Sequence, residues 1–173
     1  IYRDLTPLEE ASLLQTSRVL ASYPIEILHP EGMDISAIAS KGLPLEYRAV
    51  GEEWLGRQNG IAGYNKMCLS EEFYALYADY DYILICHTDA WIFRDELEQW
   101  CNAGYDYVAA PWPKRKIYDR PIVKQWLWLR RKLCDTSRRI IRQQGFNKVG
   151  NGGLSLRRVE AFIEGCDEYA DLI

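Results

Sequence analysis

Three short stretches of this chain carry groups able to do chemistry. The first is His87-Thr88-Asp89-Ala90-Trp91, which follows directly on the apolar run Tyr82-Ile83-Leu84-Ile85-Cys86. His87 and Asp89 are two apart, so on a continuing strand both project to one side, where they can share a divalent cation or a phosphate-bound water. A turn-capping Asp89 and a hydrogen-bonded His87 are the plainer reading of the same residues. The second stretch is Gly150-Asn151-Gly152-Gly153. Successive glycines let backbone approach a ligand closely and present N–H donors to phosphate or sugar oxygens, while Asn151 both donates and accepts. A tight turn would use the same glycines. The third is Ala109-Ala110-Pro111-Trp112-Pro113, where Trp112 offers a rigid wall for a sugar ring or a base, or simply packs.

Charge adds a fourth feature. Residues 114–142 hold eleven Lys and Arg against only Asp119 and Asp135, a charge of +9, and the rest of the chain carries -13. Such a segment suits an anionic partner: a diphosphate, an acidic glycan or a membrane surface. It can also be answered by the acidic body of the same chain. Trp126 and Trp128 beside Arg130, Arg131 and Lys132 fit peripheral contact with anionic head groups. Nucleic acid is not expected as a partner, because the body is acidic and no recognised binding module occurs.

The positioning elements follow from pattern. Thr6-Pro7-Leu8-Glu9 has the cap, the first-turn proline and the capping-box acid of a helix start, predicting a helix over about 7–21. Ile25–Leu28 and Tyr47–Val50 read as strands, and the stretches near 64–69 and 71–77 as helices. The run 82–86 reads as a central strand covered on both faces, followed by a helix from Asp95 to about Ala103. Residues 105–110 form another strand. Trp126, Leu129, Leu133 and Ile140 recur at helical spacing over 122–144, Leu154-Ser155-Leu156 is a strand, and a helix runs over about 158–169. Strands alternating with helices predict a layered α/β domain with a largely parallel sheet, and ligands of such sheets gather outside the carboxyl ends of strands, where His87 and Asp89 stand.

Composition sets the frame. With 173 residues, 48% hydrophobic and 27% charged, the chain is long and apolar enough for one ordinary domain, and no apolar run reaches the roughly 18 residues of a membrane span. The five cysteines form no C-x-x-C pair and read as small buried residues of a reducing compartment. The expected location is cytoplasmic, with the basic segment able to meet the inner face of the membrane.

Taken together, Tyr64-Asn65-Lys66-Met67, Phe73-Tyr74, residues 82–97, residues 104–112 and residues 149–158 resemble a bacterial family of glycosyltransferase-like proteins, itself similar to nucleotide-sugar transferases of the GT-A type. The resemblance implies a GT-A-like, Rossmann-related domain over residues 1–173, with a central mostly parallel sheet flanked by helices. It implies a trimmed core, with an apolar first strand before Ile1 and an acidic motif beyond Ile173. It makes Asp89 the second acid of a metal-binding Asp-x-Asp motif and puts His87 at the first position, so that Mn²⁺ or Mg²⁺ is the expected cofactor. Asn151, Gly152 and Gly153 would line the sugar site. The implied reaction moves a sugar from a nucleotide diphosphate donor to a hydroxyl of a polysaccharide or lipid-linked acceptor. Lys66 or an arginine of 114–142 would add charge beside the diphosphate, and Tyr2 would stack on the base. No residue is assigned as the base that deprotonates the acceptor. The competing readings are a non-catalytic nucleotide- or glycan-binding module and a peripheral membrane adaptor.

Overall fold

The computed structural model describes residues 1–56, 59–114, 116–136 and 147–172. Helix α1 (Pro7–Val19) begins where Thr6 and Glu9 place it. Thr6 Oγ1 accepts from the Glu9 N–H at 3.3 Å and Glu9 Oε2 accepts from the Thr6 N–H at 2.8 Å, so two free donors of the helix end are satisfied reciprocally. The Arg3 guanidinium, 2.9 Å away, holds the Glu9 carboxyl down at about 2. Next come β1 (Glu26–Pro30), α2 (Ser36–Ala39) and β2 (Glu46–Val50). The two strands pair in parallel, Glu26 opposite Glu46 and Pro30 opposite Val50, with α2 in the crossover that a parallel pair requires. Three short helices follow: α3 (Glu52–Leu55), α4 (Gly60–Cys68) and α5 (Glu71–Ala75), the last capped by Ser70. The remainder is β3 (Tyr82–Cys86), α6 (Leu97–Asn102), β4 (Tyr107–Pro111), a 3-10 turn (Lys116–Asp119), α7 (Pro121–Thr136), β5 (Val149–Arg158) and α8 (Val159–Glu168).

The central, mostly parallel sheet expected of a GT-A-like, Rossmann-related domain does not form. The parallel pair β1-β2 stands alone, and the second sheet has the order β3-β5-β4 with both pairings antiparallel. The physical reason is the return of the chain after the glycine segment: β5 runs back along β3, and an apolar alternation specifies a strand without specifying its direction. For the same reason β3 is an edge strand, half-buried along its whole length, instead of a strand covered on both faces. Burial concentrates on the middle strand, where Ser155, Leu156 and Arg157 are each 5% exposed or less. The helix expected over 122–144 starts at Pro121, and its part beyond Thr136, Ile140 included, falls outside the described residues.

Two apolar clusters hold the layers. Met67 and Cys68 of α4, Phe73 and Tyr74 of α5, and Val159 and Cys166 of α8 form the larger one. Leu28 of β1 and Ile83 and Ile85 of β3 all pack on it, so both sheets rest on one helix layer although no ladder joins them. Leu13, Ile27 and Ile38 form the other cluster, which covers the opposite face of β1 because successive strand residues point to opposite sides. Each such Leu or Ile contributes about 1.5–3 kcal/mol by leaving water. Between β1 and β3 runs a groove of about 1010 Å³, with Leu13 and Thr16 of α1 on one side and Met67 and Phe73 on the other.

Helices α3 and α4 cross at Gly63. A Cβ there would stand 2.6 Å from the Glu53 carbonyl oxygen and 2.9 Å from that of Trp54, both backbone atoms. Gly63→Ala is therefore expected to cost about 1–3 kcal/mol, read as a lowered urea midpoint at unchanged slope. A wild-type midpoint would show that the helices do not cross this closely.

Candidate functional site

Strand β3 stops at Cys86, and the next residue is stitched to the glycine segment: the His87 N–H donates to the Gly153 carbonyl at 2.7 Å. The Ala90 N–H then donates back to the His87 carbonyl at 2.9 Å, which closes a turn containing Thr88 and Asp89. Helix α1 clamps the far side of that turn. The Ser12 hydroxyl donates to the Ala90 carbonyl, and Gln15 Nε2 donates to the Ile92 carbonyl at 3.0 Å. Residues 87–92 are thus held between β5 and α1, with His87, Asp89 and Tyr2 all lining one end of the groove.

The His87 ring meets Tyr64 edge-on, with centroids 4.9 Å apart and planes at 71°. Partial burial pulls its pKa below the ordinary imidazole value. The Asp89 carboxylate opposes that pull, while the Arg157 guanidinium reinforces it. The ring is neutral at pH 7 and keeps a lone pair for a ligand. Tyr64 reaches on to the glycine segment, its hydroxyl donating to the Gly152 carbonyl at 3.2 Å. The Ser155 hydroxyl donates to the same carbonyl at 3.2 Å.

Beneath this part of β5 lies Arg157, 5% exposed. Its Nε donates to Ser155 Oγ at 3.1 Å and its Nη1 to the Tyr74 hydroxyl, which in turn donates to the Cys68 carbonyl at 2.8 Å. The remaining nitrogen, Nη2, comes within 3.2 Å of the point where a Cβ on Gly152 would stand. Among the described residues no carboxylate pairs with Arg157. A buried cation without a buried anion is costly, and such a group beside a groove makes its surroundings a candidate functional site.

The residues singled out from the sequence divide accordingly. His87, Asp89 and Tyr2 line the groove, Tyr2 51% exposed with the Arg3 guanidinium over its ring; Gly153 is joined to His87 through its carbonyl and Gly152 to Tyr64, but neither glycine lines the groove. Trp112 lies on the other flank of the glycine segment, its Nε1 3.3 Å from where a Gly150 Cβ would be. Asn151 has its backbone in β5 opposite Ala110, at a bulge in the ladder, and its side chain is outside the described set. Lys66 is exposed on α4 and does not line the groove. Arg157 and Tyr64 are the additions. Both lie in the quoted blocks, and the available signal was a polar pair, Ser155 and Arg157, on the strand face opposite Leu154 and Leu156.

As a cation site the set is incomplete by itself. Among the described residues no three His, Cys, Asp or Glu side chains converge. The strand that would aim His87 and Asp89 to one side ends at Cys86, so the fit rests on the Asp89 carboxylate, which suits Mg²⁺ or Mn²⁺ when phosphate oxygens of a ligand complete the shell, with the His87 imidazole suited to Mn²⁺ more than to Mg²⁺.

Residues 45–173 match a family described as "Protein of unknown function (DUF5672)". No curated protein and no solved structure matches the chain. Among the described residues no helix is long and apolar enough to cross a membrane.

The electrostatics make a direct prediction. Asp89 supplies the one interaction that raises the His87 pKa, so Asp89→Asn should lower it further, seen as an acid shift of the His87 ring-proton titration by NMR. An unchanged or upward-shifted midpoint would show that the two side chains do not sense each other.

Proposed function

We propose that this chain, which belongs to the DUF5672 family, transfers a sugar from a nucleotide diphosphate donor to an acceptor hydroxyl, with the diphosphate at the junction of the His87–Asp89 turn and the Gly152–Gly153 backbone. The observation that carries this reading is the buried, carboxylate-free Arg157 guanidinium behind Gly152, on a strand whose Gly153 carbonyl is bonded to the His87 N–H, with His87 and Asp89 lining the groove beyond. In such a transfer the bond from the anomeric carbon to the diphosphate oxygen breaks, and the electron pair leaves with the nucleotide. The acceptor oxygen bonds to that carbon and gives up its proton. Negative charge grows on the leaving diphosphate, and catalysis consists largely of preorganised positive charge and N–H donors aimed at it.

Arg157 meets that requirement without moving, because its guanidinium is held by Ser155 and Tyr74 and shielded from water. Gly152 keeps the backbone close: a side chain there would press on Arg157 Nη2 and also approach the Tyr64 hydroxyl at 3.7 Å. Asp89, with the neutral nitrogen of His87, would hold Mn²⁺ or Mg²⁺ against the same diphosphate, where the ion supplies Lewis-acid charge. Tyr2 and Trp112 flank the arrangement as aromatic surfaces for the base and the sugar. The resemblance to glycosyltransferase-like proteins supports the choice of donor, while the acceptor, a glycan or a lipid-linked hydroxyl, rests on that resemblance alone.

The test is nucleoside diphosphate binding with Mn²⁺ by thermal shift, followed by donor hydrolysis and transfer. Ligand at 100 times its dissociation constant should add about 2.7 kcal/mol of stability. Asp89→Ala is expected to lower turnover roughly 100-fold with an unchanged circular dichroism spectrum. Arg157→Met should weaken diphosphate binding by about 1.5–3 kcal/mol while leaving the fold intact, since an apolar side chain of similar length removes a buried cation that has no carboxylate partner, and Tyr74 keeps its bond to the Cys68 carbonyl. Near wild-type turnover of folded Asp89→Ala would overturn its role, and binding without turnover of any donor would make the domain a recognition module.

A further inference from the structure

Helix α7 is amphipathic in an unusual sense: its larger apolar face looks outward. Val123 and Leu127, four apart, are its half-buried residues and mark the side turned to the protein. Ile122, Trp126, Leu129 and Leu133 form a second stripe, 82%, 53%, 50% and 63% exposed. At about 100° per residue these four fall within roughly 60° of one another, so they make one continuous ridge. Among the described residues the helix is met chiefly by the Lys116–Asp119 turn. An apolar ridge of this kind on one helix marks a surface made for contact.

Charge says with what. Residues 121–133 contain Lys124, Arg130, Arg131 and Lys132 and no acidic residue. On the helical wheel Arg130 and Lys132 fall about 80° to either side of the ridge, and Lys124 and Arg131 lie behind it. The Arg130 guanidinium sits 5.1 Å from the centre of the Trp126 ring, and the Lys132 ammonium 5.5 Å from that of Trp128. Indole rings bracketed by cations belong at the level of lipid head groups, where the ring is half in hydrocarbon and the charges meet phosphate. A protein groove for this ridge would call for acidic residues at specific points, whereas a bilayer asks only for an apolar stripe with cations on both flanks.

We infer that α7 lies in the surface of an anionic phospholipid bilayer, with Ile122, Trp126, Leu129 and Leu133 inserted and Arg130 and Lys132 on the head-group phosphates. At 16 residues the helix is about 24 Å long, so it lies along the interface and does not span it. The inference is independent of the transfer reading, since none of these residues belongs to the site around His87 and Arg157.

The experiment is flotation of the full chain with vesicles of phosphatidylcholine alone and of equal parts phosphatidylcholine and phosphatidylglycerol. Binding is expected to the anionic vesicles only, to fall at high ionic strength, and to quench tryptophan emission when brominated lipid replaces the ordinary acyl chains. The double variant Trp126→Ser, Leu129→Ser and the double variant Arg130→Glu, Lys132→Glu should each reduce the bound fraction at least tenfold. All four positions are solvent-exposed, so the circular dichroism spectrum should not change. Asp89→Ala should bind vesicles as the wild type does, which separates this surface from the transfer site. Equal binding to neutral vesicles, no loss in either double variant, or displacement from vesicles by single-stranded RNA at low concentration would overturn the inference.

Discussion

A guanidinium buried without a carboxylate is the constraint around which this structure is arranged. Taking such a charge out of water costs several kcal/mol even after relaxation, and the chain offsets it only in part. Tyr74 cannot act as a counterion, because burial pushes its phenol well above the ordinary value and keeps it neutral. It acts as a relay, accepting from Arg157 and donating to the Cys68 carbonyl. Phe162 and Tyr107 add ring faces 5.2 and 5.8 Å from the guanidinium carbon. Residues of α4, α5, β4, β5 and α8 therefore converge on one charge, and the positions of Tyr64, Ser155 and Gly152 follow from the need to leave its last nitrogen facing the loop.

The surrounding layers explain how so small a set of strands keeps that loop in place. Leu28 of β1 and Ile83 and Ile85 of β3 lie on the same helix layer, and α1 bridges from the other side, with Leu13 on β1 and Ser12 on the turn after β3. Two sheets that share no ladder are held in register by helices on both faces. The ends of β3 show which of its backbone groups the second sheet uses: the Asp81 carbonyl accepts from Val159 and the His87 N–H donates to Gly153. By alternation, Ile83 and Ile85 bond to β5, and Tyr82, Leu84 and Cys86 turn their backbone groups toward the groove. The groove is therefore walled by strand edges as well as by apolar side chains.

Much of this was legible in the residues, and the remainder was not for definite reasons. The start of α1 was written in Thr6, Pro7 and Glu9 because capping is a local interaction of adjacent residues. The strands at 26–30, 82–86 and 107–111 were visible as short apolar runs within one or two residues of their ends. Direction was invisible, since the pairing of Leu84 with Leu156 depends on where the chain turns over seventy residues of separation. His87 and Asp89 were readable as chemistry beyond a strand end, but not on a continuing strand, since β3 stops at Cys86 and Asp89 stands in a turn; the glycines at 150–153, read as a turn before a strand, lie inside β5. Arg157 was not readable, because an arginine within a strand is ordinarily a surface residue, and only the tertiary position of Tyr74 and α8 makes it a buried one.

The place of that arginine bears on what the site can distinguish. A cation in the groove itself would pair with any carboxylate or phosphate that reached it, and water would screen it. In the proposed site, behind the Gly152 backbone, its field would reach a ligand through protein of low dielectric, so its effect would grow with the charge placed against that backbone. The same field, with burial, keeps His87 neutral and so prevents the imidazole from becoming a competing cation, while Asp89 at the rim repels an anion that arrives without a metal. In the site proposed above, positive charge behind β5, a neutral imidazole beside it and a carboxylate in front would favour a ligand that brings both several phosphate oxygens and a divalent ion. A lone carboxylate or monoanion gains from the first of these and loses to the last, which is a basis for choosing a metal-bound diphosphate over simpler anions.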